Sequence, residues 1–191
     1  MSLMAEPRSW RVAAAATAPV ALIGGGEWAA AVQPDGYSRA RDSISALAAQ
    51  GASDRWIMTT ALSLVGISYL LTAIGLTGAR TSGRWLLALG GAATVLVAAS
   101  PQPHPLHVPA AGIAFVALAL WPVASRLPTG WTAAAVSAVT VVLLIWFAMQ
   151  LGGPWLGTTE RAVAWTEACW PVVCVLVIRA ARTPDSGTVS R

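Results

Sequence analysis

The sequence predicts an all-α integral membrane bundle: six transmembrane helices, with a short amphipathic helix between the first and the second. Three observations carry that prediction. Hydrophobic residues make up 56% of the 191 residues and charged residues only 10%, where a soluble domain carries about 25% charge. The apolar residues gather into six stretches long enough to cross a ~30 Å hydrocarbon core at ~1.5 Å of helix per residue. The charges between these stretches divide unequally between two sides, as topology signals do. The whole chain reads as one membrane domain.

The predicted spans are 12–32, 56–77, 85–100, 106–125, 131–151 and 160–179, with 182–191 as a flexible tail. The first follows Arg8 and Arg11 and ends in Ala29-Ala30-Ala31, a pattern that a cleavable leader shares. Its Gly24-Gly25-Gly26 and Glu27 argue instead for a retained helix. Pro34-Asp35-Gly36 then breaks the chain, and 33–55 is the only long connection. Within it, Ile44, Leu47 and Ala48 lie beside Arg39, Arg41 and Asp42, which predicts an amphipathic helix over 38–49, interfacial or re-entrant among the spans. Ser53 or Asp54 caps the second span. Gly78 and Gly83 separate the second span from the third, which is short and stops at Ser100-Pro101. Pro101-Gln102-Pro103, Pro128-Thr129-Gly130 and Gly152-Gly153-Pro154 delimit the rest.

All twelve basic residues are arginines. Arg8, Arg11, Arg80, Arg84, Arg126, Arg179, Arg182 and Arg191 fall on the side of the termini; Arg39, Arg41, Arg55 and Arg161 fall on the other. The positive-inside rule therefore places the termini in the cytoplasm and the chain in the cell membrane. The arginines stand singly, without a basic stripe, so no nucleic-acid partner is expected. Of the ten tryptophans, Trp10, Trp56, Trp85, Trp121, Trp131 and Trp155 lie near predicted helix ends, as an interfacial belt requires. Trp28, Trp146, Trp165 and Trp170 lie deeper.

The acids sort oppositely to the arginines. Glu27, Asp35, Asp42, Asp54, Glu160 and Glu167 gather toward the outer side, with His104 and His107. Glu27 lies roughly 9 Å below that surface and Glu167 roughly 11 Å. A carboxylate facing lipid at such depth costs at least a few kcal/mol, so both are expected to face the bundle interior. A carboxylic acid in a dry pocket is a usable general acid. The alternative is a structural pairing with Arg41, Arg55 or Arg161. Glu160 and Glu167, two turns apart, share one helix face. Asp42 and Asp54 admit catalytic or merely capping and ion-pairing roles. Trp28, Trp165 and Trp170 would line an apolar pocket and stabilise a cation through the ring quadrupole, or simply pack.

His104 and His107 are three residues apart, but prolines at 101, 103 and 105 disturb the spacing that a shared metal would need. No metal is expected. Cys169 and Cys174 point in different directions on one helix and read as packing residues. P-loop, dinucleotide-binding, GxSxG and HExxH motifs are absent, so no cofactor is expected.

Pro34-Asp35-Gly36-Tyr37, Arg41-Asp42-Ser43-Ile44-Ser45-Ala46-Leu47 and Gly51-Ala52-Ser53-Asp54-Arg55-Trp56 resemble a family of small actinobacterial membrane proteins catalogued as domain of unknown function 998. Pro101-Gln102-Pro103 with its following histidine, and Phe115–Pro122, fit the same family. The resemblance covers about residues 15–180. It implies a six-helix bundle with a characteristic 38–55 segment, and it implies no activity. A looser likeness of parts, without a motif match, is to small integral-membrane terpene cyclases, which set carboxylates among aromatic residues inside a helical bundle.

The function expected on these grounds is an enzyme that protonates a lipidic or isoprenoid substrate with a carboxylic acid. Glu27 and Glu167 are its candidate acid and partner, Asp42 and Asp54 further candidates. Trp28, Arg55, Trp56, Trp165 and Trp170 would contact substrate. The partners are the lipidic substrate and membrane lipids, and an oligomer is compatible with the pattern. The alternatives are a small proton-coupled transporter, a metal-dependent membrane hydrolase and a non-catalytic membrane subunit.

Overall fold

A computed structural model of the chain describes residues 9–127 and 131–180. The predicted tail at 182–191, the 128–130 break, Glu6, Arg8 and Asp185 lie outside them. The described residues are helical with no strand: α1 (Ser9–Pro19), α2 (Gly25–Ala31), α3 (Trp56–Gly75), α4 (Thr81–Ala99), α5 (His107–Ser125), α6 (Thr132–Met149) and α7 (Leu156–Ala180). The last five are long and apolar enough to cross a membrane, so the chain is a multi-pass membrane protein. α1 and α2 form the remaining, N-terminal helical run. A π-turn over Val20–Gly24 joins them. It follows Pro19, which has no N–H to donate, and the backbone rewinds beyond it.

The sequence reading places most span ends within a few residues of these helices. Two starts differ. α4 begins at Thr81, so Gly83 and Arg84 belong to the helix. Gly83 is pressed against Ser125, where a Cβ would collide with the Ser125 Cα. Arg84 Nε donates to the Ala73 carbonyl at 2.8 Å, satisfying an end of α3. α7 begins at Leu156 rather than 160, which sinks Glu167 deeper than predicted, to about 17 Å along the helix.

Small residues set the helix crossings. Gly66 of α3 and Gly91 of α4 meet so closely that a Cβ on Gly66 would lie 2.6 Å from the Gly91 carbonyl oxygen. In lipid, where water supplies no drive for helices to associate, such close approach gives the packing contact that holds them. The Ser68 hydroxyl donates to the Ala14 carbonyl and ties α3 to α1. α6 is the most peripheral span, presenting Val139, Val142, Ile145 and Met149 outward.

Three connections, 32–55, 100–106 and 150–155, share one end of the bundle, here the loop face. Its 32–55 segment is not the predicted amphipathic helix. Tight turns carry it to a single 3₁₀ turn at Ser45–Ala48. Ile44, Leu47 and Ala48 are buried among the helices, so the segment is re-entrant, one of the two placements expected for it. Backbone groups taken below the surface need partners, and α7 supplies them.

Candidate functional site

The re-entrant segment is held by two neighbouring residues of α7. The Glu160 carboxylate accepts the Ile44 backbone N–H and, at 3.3 Å, the Ser45 hydroxyl. Arg161 turns to the other side of the same loop: Nη1 donates to the carbonyls of Arg39 at 2.8 Å and Asp42 at 2.9 Å, and Nη2 to the Tyr37 hydroxyl at 2.6 Å. Burial pushes the Tyr37 hydroxyl above its ordinary pKa, and the Arg161 charge opposes this. Gly157, one turn earlier, lies so close to the loop that a Cβ would collide with the Asp42 carbonyl oxygen.

Beneath the loop lies a cavity of about 60 Å³, enough for a few water molecules. Leu62, Tyr69, Thr94, Leu118 and both carboxylates of α7 line it. Glu167 is 4% exposed, and its Oε1 has no hydrogen-bond partner. A groove of about 320 Å³ runs between α5, α6 and α7, within the ~300–1,000 Å³ of small-molecule sites. Its walls are mostly apolar, including Val108, Val116, Leu144 and Phe147. Groove and cavity share Ser45, Ala111, Phe115 and Glu160 as a common wall.

The predicted site residues do not all meet there. Glu27 is a correction to the expectation of an inward-facing acid: its side chain is 45% exposed and pairs with Arg39 at 3.0 Å. The π-turn rotates α2 relative to α1, a phase change that a regular helical projection omits. Glu27 and Glu167 therefore share no cavity. Trp28 and Trp56 pack edge-to-face at 5.7 Å on the outside of the bundle. Trp165 and Trp170 are partly buried against the core, but no tryptophan lines the cavity or the groove. Trp121, expected in the interfacial belt, is buried. Trp10, Trp85, Trp131 and Trp155 are exposed near helix ends as expected.

Asp42 accepts the Ser38 backbone N–H at 2.6 Å and shapes the turn. Asp54 adopts a positive φ of 46° and accepts the Trp56 indole N–H at 3.2 Å. Arg55 is exposed at the start of α3. The two histidines are used separately. His104 Nδ1 accepts the Leu106 N–H, whereas His107 is buried, with Nδ1 2.9 Å from the Ser100 carbonyl oxygen. Cys174 is buried and Cys169 exposed, both as free thiols.

In the sequence Arg161 stands as an outer-face arginine and possible carboxylate partner, and Glu160 as an outer-face acid sharing a helix face with Glu167. The available signal was that both flank the start of the last span, opposite the one long loop. The family model described as "Protein of unknown function (DUF998)" matches residues 11–177. The chain belongs to the DUF998 family. The match runs from within α1 to within α7 and takes in the re-entrant segment, so the loop-on-α7 arrangement lies within the family's region. No curated protein and no solved structure matches the chain.

Proposed function

We propose that this DUF998 protein is a membrane enzyme that protonates the apolar chain of a lipidic, isoprenoid substrate, as terpene cyclases do, with Glu167 as the acid. The observation that carries this reading is the Glu167 carboxyl itself. It is buried midway along α7 with an unpartnered oxygen, on a cavity whose wall is shared with a mostly apolar groove. An intramembrane acid facing the bundle interior is costly, and a functional role accounts for the cost. The O–H proton passes to a trisubstituted alkene carbon, leaving a carboxylate and a tertiary cation. An internal alkene closes onto that cation, and loss of a neighbouring proton restores an alkene. The product is an isomer, so no oxidant or reductant is needed. The Phe115 ring, on the wall common to cavity and groove, would face the cation.

In this reading Glu160 and Arg161 are positioning residues, because they hold the loop that roofs the cavity. Glu27, paired with Arg39 away from the cavity, has no part in the step. The arginine asymmetry supports a cell-membrane orientation with cytoplasmic termini, which puts the loop face outside.

The test is reconstitution in liposomes with farnesol in D₂O. The wild type should yield cyclic product carrying one carbon-bound deuterium, and Glu167→Gln should yield none. Product from Glu167→Gln at the wild-type rate would overturn the reading. A second reading, a proton-coupled carrier, draws on the alignment of Glu160 and Glu167 along one face of α7. It predicts solute-dependent proton flux across the same liposomes without any covalent product.

A further inference from the structure

Among the buried side-chain polar atoms of the residues lining the α5–α6–α7 groove, one is left without a protein partner. Ser43 Oγ accepts the Ala46 N–H, Ser45 Oγ donates to Glu160, and Glu160 is engaged by Ile44 and Ser45. His107 also lines the groove, is 2% exposed, and has no partner at Nε2. Its other nitrogen settles the tautomer. Nδ1 sits 2.9 Å from the Ser100 carbonyl oxygen, which can only accept, so Nδ1 carries the hydrogen. In the neutral imidazole Nε2 is then a bare lone pair. Buried polar atoms ordinarily have partners, and this one lacks a donor.

The remaining lining sets the rest of the ligand. No arginine lines the groove and one carboxylate does, so an anionic head such as a phosphate or carboxylate meets no counter-charge. From His107 to Val116 the apolar wall of α5 runs roughly 14 Å, which suits a chain of farnesyl length.

We infer that the groove binds a hydroxyl-bearing lipid, a prenyl alcohol or prenylated phenol, whose O–H donates to His107 Nε2 while its chain lies along α5 and α6. This rests on the reading of the groove as a substrate site and adds the head group that it selects. His107 is in this sense a specificity-determining residue.

The test is equilibrium binding to the full chain in nanodiscs, with farnesol, farnesyl methyl ether and farnesyl monophosphate as probes. The ether keeps the chain and removes only the donor, so the comparison is independent of folding. Farnesol should bind the wild type roughly tenfold more tightly than the ether, the effect of one buried hydrogen bond. The monophosphate should bind more weakly than farnesol. His107→Phe should bind both neutral probes alike, with the ether's affinity retained. Equal binding of alcohol and ether by the wild type would overturn the inference. So would tighter binding of the phosphate, or an alcohol preference that survives in His107→Phe. The two proposals fail separately: an alcohol preference without deuterated product contradicts the acid-catalysis reading alone, and product without that preference contradicts this inference alone.

Discussion

The Glu160 carboxylate accepts the backbone N–H of Ile44, 116 positions earlier in the chain, at a point where both are buried. A side chain at the start of the last helix thereby replaces the water that a re-entrant peptide loses on entering the bundle. Glu160→Ala would leave the Ile44 N–H buried and unpaired, which costs about 1–3 kcal/mol. The expected result is a lower unfolding temperature in detergent and faster proteolysis within 33–55. Glu27→Ala removes a half-open ion pair worth up to about 1 kcal/mol and should change neither measurement appreciably.

Arg161 offers a second, independent test of how the loop is held. Its planar fork reaches two loop carbonyls and the Tyr37 hydroxyl together. A lysine ammonium has no such fork and cannot reproduce the set. Arg161→Lys is expected to expose the loop to protease although charge is conserved. Unchanged cleavage kinetics would show that charge alone holds the loop.

Gly157→Ala places a methyl group against the Asp42 and Arg39 carbonyl oxygens. Both acceptors belong to backbone that Arg161 already fixes, so the loop must shift. The expected loss is about 1–3 kcal/mol, the usual range for overpacking, together with loss of activity. Gly112→Ala is the control: a Cβ there meets nothing within 4 Å, and stability should stay near wild type.

The α3–α4 crossing, which carries one wall of the cavity, predicts a third stability effect. Gly66→Ala would drive a methyl into the Gly91 carbonyl and Val95. A comparable loss of about 1–3 kcal/mol should appear in thermal unfolding, with the loop no more sensitive to protease below the transition. Early loop cleavage in this variant would mean that the loop depends on the whole bundle.

Much of the architecture was legible in the sequence, because the signals for it are local. Long apolar runs, Gly/Pro breaks and one-sided arginines marked the spans, and the Arg41–Leu47 and Gly51–Trp56 stretches pointed to the family. The site was legible only in part. Glu167 was singled out because an acid inside an apolar run is conspicuous. Glu27 was equally conspicuous, but its direction depends on the π-turn after Pro19, which resets the helical phase. Its partner is Arg39, brought back beside α2 by the turns at 33–36, and no linear spacing encodes that return. The sequence suggests a carboxylate partner for Arg161, whereas it binds carbonyls, which every residue carries and no sequence marks. Trp28, expected to line a pocket, and Trp56, expected at the membrane interface and against substrate, both stand at the surface.

The central proposal, that Glu167 serves as the acid on a cavity sharing a wall with the α5–α6–α7 groove, has a direct test that needs no knowledge of the substrate. Dicyclohexylcarbodiimide is apolar and reacts with protonated carboxyl groups. The protein in liposomes would be treated with it, with and without farnesol, and the adduct located by peptide mass spectrometry. The account predicts an adduct on Glu167, lessened by farnesol, and none on the paired, half-open Glu27. An adduct on Glu27 with Glu167 unmodified would contradict it.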